Sequence, residues 1–335
     1  MQIEIVAELA QGFEGRPEQT RLLMKAAAAA GADAAKYQLV YADELATPDY
    51  KYYELFRSLE MKDEVWVQLA AYAAELGIRL YLDIFGSRSL RLAEQIGVPV
   101  VKVHGTDIAN IGFLAQIAGS SIPRVLLGAG GAYATELERA VDLLSAKGKE
   151  IVVLLGFQGY PTPTETNQIA RVRMLADRLG QAHPNVRIGF ADHAPPESPL
   201  RYALAAAAVG AGATVIEKHL TLGQIMKLED HESALNPDDF ALFCEVVRNC
   251  AQAVGEATHA EDFGMMEAEQ GYRRMIRRHV VTGRDLASGT RLSPADLVLK
   301  RTSAEQVITD MGPVYNKMLK RNLKSNVPLS PMDFD

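Results

Sequence analysis

The chain of 335 residues is 48% hydrophobic and 23% charged, which is typical of a globular protein with one substantial core. Its net charge of −7 argues against general nucleic-acid binding, because contact with the phosphate backbone requires a basic surface. There is no basic leader at the start and no apolar run of the ~20 residues that a membrane span needs, so we expect a cytoplasmic protein. Cys244 and Cys250 form no CxxC pattern, which favours a reduced compartment without disulfides.

From the first residues to about residue 255, an alanine- and leucine-rich amphipathic stretch, a glycine and a short apolar run recur. Glycines such as Gly77 and Gly97 stand where helices end, and the runs lack alternation, as strands buried on both faces should. Eight such units in ~250 residues predict an α/β protein with a closed (β/α)8 TIM barrel. The predicted strands lie near residues 2–8, 33–38, 78–84, 99–103, 124–128, 151–155, 187–191 and 213–218.

The rest of the chain follows a different pattern. The last barrel helix is predicted to begin at Asn236, as its N-cap, and to end near Val254. Residues 256–275 are polar and lack a core-facing period, which predicts a linker. Short β-rich runs and turn dipeptides then predict a small β-rich domain. The predicted division is therefore a barrel at 1–255, a linker at 256–275 and a small domain at 276–335.

Charge is distributed unevenly between these parts. Residues 271–335 hold 12 Lys and Arg against 6 Asp and Glu, whereas the first 270 residues hold 23 against 36. Two interpretations remain open. The basic tail covers an acidic body or helps to hold an anionic substrate, or it is only a solvated basic surface.

The active site of a TIM barrel lies at the C-terminal ends of its strands, and polar residues collect at these predicted ends. Lys36 and Lys102 can present ammonium groups to an anionic substrate, and Glu8 or Asp107 can take a proton or hold a hydroxyl. The alternative is that either lysine is neutralised in an internal salt bridge. Further polar residues at strand ends are Gln38, Asp83, His104, Gln158, Tyr160, Asp192, His193, Glu217, Lys218 and His219.

His193 and His219 follow adjacent predicted strands and can share one divalent metal, completed by water or substrate oxygens. Such a metal would act as a Lewis acid on a carbonyl oxygen. The alternative is two loop histidines without a metal. His231 is either a further site residue or a loop residue.

The chain resembles the sialic acid synthase (N-acetylneuraminate synthase) family over its whole length. The motifs that carry this resemblance are AELAQGFEG, GADAAKYQ, KVHGTDIAN, YPTPTETN, ADHA, GATVIEKHLTL, DHESALNPDDF and RRHVVTGRDLASGTRLSPADLVLKR. The resemblance implies a TIM barrel with a C-terminal antifreeze-like SAF domain of the β-clip type. It also implies a transferase that condenses phosphoenolpyruvate with an N-acetylmannosamine-type aldose, giving a nonulosonic acid and phosphate for surface polysaccharide.

The resemblance further implies a divalent metal, Mn²⁺ or alternatively Mg²⁺ or Co²⁺, and a domain-swapped homodimer. By this resemblance His193 and His219 are the metal ligands. The catalytic residues that it implies, with Asp107 suited to proton transfer, are Glu8, Lys36, Lys102, Asp107 and Asp192. The implied substrate-binding residues, with Arg301 reaching the sugar from a partner subunit, are Gln38, Asp83, Gln158, Tyr160, Asp230 and Arg301.

Several positions depart from the family's pattern. Gly105, Gly128 and Ala191 stand where the family has serine, and Asp83 stands where it has threonine. Hydrogen bonds to a charged group contribute ~1.5–3 kcal/mol each, so these losses weaken phosphoenolpyruvate binding unless backbone N–H groups or water substitute. Two alternatives follow: a metal-dependent pyruvate or keto-acid aldolase or lyase that needs no phosphate, and an inactive sugar-binding homologue.

Overall fold

The structure is a computed structural model that describes residues 2–157, 159, 161–256 and 261–334. The chain divides into two compact units, Met1–Glu256 and Ala257–Asp335. This division falls next to the predicted end of the barrel at residue 255.

The first unit contains eight parallel strands, each paired with the next, and the eighth pairs with the first to close the sheet. This is the predicted TIM barrel, which is confirmed, and each strand overlaps its predicted range. A ninth strand, β9 (Ala234–Leu235), extends the sheet beside the eighth. The barrel strands are β1 (Glu4–Ala10), β2 (Ala34–Gln38), β3 (Arg79–Ile84), β4 (Val100–Val103), β5 (Arg124–Gly128), β6 (Glu150–Leu155), β7 (Val186–Asp192) and β8 (Val215–Leu220).

Helices follow the strands and bury their apolar faces against the outside of the barrel. Gly77 and Gly97 end two of them with left-handed φ angles of 68° and 70°, as expected of C-cap glycines. The helices are α1 (Pro17–Ala29), α2 (Ala42–Leu45), α3 (Tyr53–Leu59), α4 (Asp63–Leu76), α5 (Ser87–Ile96), α6 (Ile111–Gly119), α7 (Ala134–Ser145), α8 (Ala170–Gly180), α9 (Ala203–Gly210) and α10 (Pro237–Val254).

The predicted bounds of α10 and its predicted N-cap residue, Asn236, are confirmed. Asn236 precedes the helix without a capping hydrogen bond. Its side-chain oxygen instead accepts a hydrogen bond of 2.9 Å from the backbone N–H of Gln224. The side chain of Asn236 therefore hydrogen-bonds to the loop after β8 and not to the first turn of α10.

The alternation of side chains along the strands positions the site. Inward-facing residues of the barrel form an apolar cluster, whereas the intervening residues pack against the helices. On five of the strands, the next inward position after this apolar cluster holds a charged residue. It follows by two residues the cluster members Val6, Ala34, Tyr81, Val100 and Val215. The charged residues in that layer are Glu8, Lys36, Asp83, Lys102 and Glu217.

The second unit contains α11 (Glu267–Ile276) and the antiparallel pair β10 (His279–Thr282) and β11 (Leu297–Lys300). Helix α11 lies largely in the predicted linker at 256–275, where the absence of a core-facing period concealed it. Acidic residues in its first turn and basic residues in its last turn match the helix dipole. The small apolar core of this unit consists of Val280, Leu286, Leu292, Leu297, Val314, Leu319, Leu323, Leu329 and Phe334.

Among the described residues, no helix combines the length and the apolar content that a membrane crossing requires. Cys244 is buried and Cys250 partly exposed, and both are free thiols in α10.

Candidate active site

A cavity of about 210 Å³ lies at the C-terminal ends of the barrel strands. Most of its lining comes from inward-facing strand residues and from the residues that follow each strand. The lining residues are Glu8, Gln11, Gln38, Asp83, Lys102, His104, Gly128, Leu154, Gly156, Ala191, His193, Glu217, His219 and Asp230.

Five buried ionisable side chains form one network at the base of this cavity, which we call the charged floor: Glu8, Lys36, Asp83, Lys102 and Glu217. Lys36 Nζ contacts Glu8 Oε2 and lies 3.1 Å from Asp83 Oδ2 and 3.4 Å from Glu217 Oε2. Lys102 Nζ lies 2.7 Å from Glu217 Oε1, 3.6 Å from Glu8 Oε2 and 3.8 Å from Asp83 Oδ2. Each lysine therefore contacts all three carboxylates.

The three carboxylates of the charged floor differ in their hydrogen bonds. Lys36 and the backbone N–H of Ala10 donate to Glu8. Burial opposes the charge of Glu8, but attraction to Lys36 and Lys102 outweighs it and lowers the pKa. Neither oxygen of Asp83 receives a directed hydrogen bond, although both ammonium groups are near. Burial, only partly offset by the lysines, therefore raises the pKa of Asp83 to about 6.

Both lysines remain charged in this environment. Burial disfavours their charged forms, but the three carboxylates, with Asp83 first, raise the pKa of Lys36 and raise that of Lys102 well above its usual value. The alternative of internal salt bridges is therefore the arrangement observed for both lysines. Asp83 contributes directly to it, and the charged floor holds three carboxylates against two ammonium groups.

The rings of His193 and His219 lie beside each other in the cavity lining, with ring centroids 5.5 Å apart and ring planes inclined by 57°. His193 Nδ1 lies 2.9 Å from the carbonyl oxygen of Phe157, and it must donate because a carbonyl only accepts. Burial lowers the pKa of both rings, and for His219 the neighbouring His193 adds to this effect. Two neutral imidazoles thus meet at one end of the cavity.

Asp192 was predicted as a catalytic residue, and its position does not support that role. As the neighbour of the inward-facing Ala191, it points to the opposite side of β7 and is absent from the cavity lining. Its Oδ1 lies 3.1 Å from Lys218 Nζ and accepts 2.8 Å from the backbone N–H of Ala194. Asp192 and Lys218 are a fully buried pair behind the barrel wall.

Asp107 is likewise absent from the cavity lining. It lies in a 3-10 turn, Gly105–Asp107, after β4, and burial raises its pKa. Asp230 does line the cavity, and burial followed by the charges of Glu8 and Glu229 raises its pKa to about 6. Gln38 also lines it and accepts a 2.7 Å hydrogen bond from Gln11.

Among the described residues, the lining from β5 to β7 has three positions without a side chain beyond Cβ, Gly128, Gly156 and Ala191, and we call these three, with Gly105 packed behind Gly128, the bare wall. A Cβ on Gly105 would lie 2.6 Å from the carbonyl oxygen of Gly130. A Cβ on Gly128 would lie 2.8 Å from the backbone nitrogen of Gly105. The ends of β4 and β5 thus approach so closely that neither position can hold a serine unless the backbone shifts.

Of the remaining residues, Arg301 and His231 do not line the cavity. Gln158 and Tyr160 lie outside the described residues. Arg301 belongs to the second unit, where its Nε donates 3.2 Å to the carbonyl oxygen of Ile276. His231 is a loop residue whose Nδ1 lies 3.0 Å from the carbonyl oxygen of Leu228.

Three polar lining residues are absent from the predicted catalytic and binding sets: Gln11, His104 and Glu217. Glu217 could have been found from alternation, because it lies two residues before His219 and so shares its inward face. His104 lies two residues after Lys102 and follows the same rule. Gln11 lies beyond the end of β1, where no periodic pattern applies.

The fold and the cavity together define a TIM-barrel protein with a buried, charged cavity and a separate small β-rich unit. The sequence profile of the NeuB family matches residues 23–259, and the profile of the SAF domain matches residues 277–335. The chain belongs to the NeuB family, and the predicted resemblance is confirmed.

Named relatives agree with this assignment. The N,N'-diacetyllegionaminic acid synthase of Legionella pneumophila is 25% identical over 97% of this chain and 92% of its own. The spore coat polysaccharide biosynthesis protein SpsE of Bacillus subtilis is 30% identical over 73% of this chain and 66% of its own. The crystal structure of N-acetylneuraminic acid synthetase from Leptospira borgpetersenii has a TM-score of 0.73 at 24% identity, covering 83% of this chain and 93% of that one.

Proposed function

We propose that this chain is a nonulosonic acid synthase, a transferase that condenses phosphoenolpyruvate with an N-acetylmannosamine-type aldose in the cytoplasm for surface polysaccharide. The observation that carries the proposal is the convergence of the charged floor and the His193–His219 pair on one cavity of a NeuB-family barrel. Such a cluster of buried charges is costly for folding. A barrel with a purely structural role has no physical need for it.

A divalent metal fits the two histidines. Both rings are held neutral by burial, and His193 would bind through Nε2 because its Nδ1 donates to Phe157. Within the described residues, no group of three or more His, Cys, Asp or Glu side chains is arranged to hold an ion. The protein would therefore supply two ligands and leave the other positions to water or substrate. When bound, Mn²⁺, Mg²⁺ or Co²⁺ would polarise the aldehyde oxygen.

In the proposed reaction the enol carbon of phosphoenolpyruvate attacks the aldehyde carbon, and the aldehyde oxygen gains a proton. Water adds to the adjacent carbon, and the C–O bond to phosphate breaks as phosphate leaves. We assign the proton exchange to Asp230 in place of Asp107. Asp230 lines the cavity, and its pKa of about 6 suits proton transfer near neutral pH.

The aldose is expected to bind in the part of the cavity that is lined by carboxylates and side-chain amides. Glu8 and Asp230 can accept hydrogen bonds from sugar hydroxyls, and the paired amides of Gln11 and Gln38 can donate and accept. Lys102 remains charged and lines the cavity, so it is the ammonium group that an acid substrate can approach.

The first test is phosphate release from phosphoenolpyruvate by the purified protein with Mn²⁺ and a panel of N-acetylated mannosamine derivatives. We expect release that depends on the aldose and stops when a chelator is added. Absence of release with every aldose, despite bound Mn²⁺, contradicts the proposal.

The metal assignment has a separate test. Replacing both His193 and His219 by Ala should reduce bound Mn²⁺ to background in elemental analysis, because both protein ligands are lost. The matched control is His183→Ala, since His183 pairs with Asp142 outside the cavity. Equal metal content in the double variant and the control excludes this site.

A second candidate, a metal-dependent aldolase or lyase that acts on pyruvate without phosphate, is favoured by Asp83 and the bare wall. Asp83 compensates both lysines, and the bare wall has no hydroxyl to bind phosphate. In that case, pyruvate should replace phosphoenolpyruvate in forming product, or the enzyme should release pyruvate from a nonulosonic acid. Sugar binding without turnover of either acid would indicate the inactive sugar-binding homologue.

We also propose that a domain-swapped homodimer brings Arg301 of one subunit to the sugar bound by the other. Arg301→Ala should then weaken binding of the aldose by about 10-fold, the loss of one charge-assisted hydrogen bond, without loss of metal. Lys300→Ala changes the adjacent charge and serves as the control. Equal affinity for the aldose in Arg301→Ala and wild type contradicts this proposal.

A further inference from the structure

The cavity takes its carboxylates from β1, β3, β8 and the loop after β8, and none of the described lining residues from β4 to β7 is acidic. The carboxylates of Glu8, Asp83, Glu217 and Asp230 all line it. They suit sugar hydroxyls, which donate, but they repel a carboxylate or phosphate. An acid substrate is therefore favoured against Gly128 and Gly156 of the bare wall, since Ala191 at its other end is paired in register with Glu217.

The bare wall supplies backbone groups but no side-chain donor. In the described residues, the lining from β5 to Ala191 of β7 consists of Gly128, Leu154, Gly156 and Ala191. A hydrogen-bonding side chain can be added at Gly128 only if the backbone shifts, because its Cβ would meet backbone atoms of the loop after β4. His193 lies beside Gly156, and at the other end of the bare wall, next to Gly105, the polar side chain beyond Lys102 is His104.

The hydrogen bonds of His104 fix its tautomer. The backbone N–H of Thr106 points to His104 Nδ1 at 3.4 Å, and Thr106 Oγ1 lies 3.0 Å from the same atom. A backbone N–H can only donate, so Nδ1 is the acceptor and a neutral ring carries its hydrogen on Nε2. Burial, followed by the charges of Lys102 and Lys36, lowers the pKa of His104 to about 4, so the ring is neutral at physiological pH.

We propose that His104 determines specificity for the acid substrate, donating a hydrogen bond from Nε2–H to an oxygen of the three-carbon acid at the bare wall. This inference rests on the proposed function for the identity of that acid. His104 adds a neutral donor beside Gly105 and Gly128, where a serine hydroxyl fits only if the backbone shifts. It also gives the cavity a way to orient an acid without adding a cation to the charged floor.

Two substitutions separate binding from the capping role of His104 in the turn Gly105–Asp107. His104→Asn keeps a short side chain that can accept from the N–H of Thr106, as N-cap residues do, but loses the distal donor. His104→Gln places an amide N–H near the position of Nε2. His183→Ala, outside the cavity, is the control for a histidine substitution in general.

The experiment is calorimetric titration of the full chain with Mn²⁺, using phosphoenolpyruvate and pyruvate as separate probes and N-acetylmannosamine as the reference. We expect His104→Asn to raise the Kd for the acid by about 10-fold or more, the loss of one hydrogen bond to a charged group. The Kd for the acid in His104→Gln and in His183→Ala should remain within about 3-fold of the wild-type value. The Kd for the sugar should be unchanged in all variants.

An unchanged Kd for the acid in His104→Asn overturns the proposal. It is also overturned if neither acid binds the wild type, or if His104→Gln loses the acid as fully as His104→Asn does. Product formation by the wild type is measured separately. Turnover with an unaffected His104→Asn contradicts this inference alone, whereas acid binding that depends on His104 without turnover contradicts the proposed synthase alone.

Discussion

The two sides of the cavity differ in how they are built. The charged floor, supplied by β1 to β4 and β8, fills its space with long ionisable side chains that contact one another. The bare wall, supplied mainly by the ends of β4 to β7, brings backbone segments so close that side chains are excluded. The first side is held by electrostatics in a buried environment, and the second by steric fit.

This difference shows how one barrel can combine a buried charged centre with an uncharged, closely packed side. In the charged floor, the two buried ammonium groups and the three buried carboxylates compensate each other's charge. A change there affects the stability of the whole barrel. The residues of the bare wall are uncharged and depend on each other only through close packing, so a change there leaves no buried charge uncompensated.

The largest effect is expected from Lys36→Met. It leaves Lys102 as the single ammonium group for the three carboxylates, and an uncompensated buried charge costs about 3–5 kcal/mol. The free energy of unfolding in urea should fall by that amount at pH 7.5. Lys25→Met, at an exposed position of α1, should change it by less than about 0.5 kcal/mol. A similar loss in both variants would show that the effect does not depend on the charged floor.

A smaller effect, which depends on pH, is expected from Asp83→Asn. Asp83 has a pKa of about 6 in the fold, against ~3.9 when unfolded, so the folded protein binds its proton more tightly. The contribution of Asp83 to the free energy of unfolding is therefore fully present below pH ~4 and is lost as the pH rises through about 6. Asparagine does not titrate, and it leaves two carboxylates against two lysines.

Asp83→Asn should therefore match the stability of wild type at pH 4 and exceed it by about 2–3 kcal/mol at pH 7.5. Urea unfolding across this pH range measures the difference between the two proteins. A difference that is constant with pH, or that favours wild type at pH 7.5, contradicts the raised pKa. Either result would mean that the lysines compensate Asp83 fully.

Most of the fold could be predicted because its signals are local. Glycine C-caps such as Gly77 and unbroken apolar strands identify the eight βα units, and the number of units then favours a barrel. Helix α11 could not be predicted in this way, since none of its residues is buried and so no core-facing period exists. Its signal is the placement of charges at its ends, which is weaker.

The site was predicted less completely, because strand ends identify polar residues but not their directions. Alternation from His193 would have placed Asp192 outside the cavity, and alternation from His219 would have placed Glu217 inside it. The pairing of Asp83 with both lysines depends on three strands that are distant in sequence. The absence of hydroxyls at Gly105 and Gly128 was visible in sequence, but the contact between them depends on tertiary structure.

The smallest of the three effects is expected from Gly128→Ser, which tests whether the bare wall is closed by steric fit. The new Cβ would lie 2.8 Å from the backbone nitrogen of Gly105 and 3.3 Å from the carbonyl oxygen of Val103. Backbone atoms cannot turn away as a flexible side chain can, so the ends of β4 and β5 must separate. We expect a loss of ~2 kcal/mol in the free energy of unfolding, within the range for overpacked sites.

Gly180→Ser is the matched control, because a Cβ at the end of α8 meets no atom within 4 Å. It should change the free energy of unfolding by less than about 0.5 kcal/mol. If Gly128→Ser is as stable as this control and also binds phosphoenolpyruvate more tightly, the wall can open to receive a hydroxyl. The two sides would then differ in composition alone. Gly128 could be exchanged for serine without loss of stability, and the exchange would alter only the binding of the substrate. A destabilised Gly128→Ser would instead mean that the close approach of β4 and β5 requires glycine.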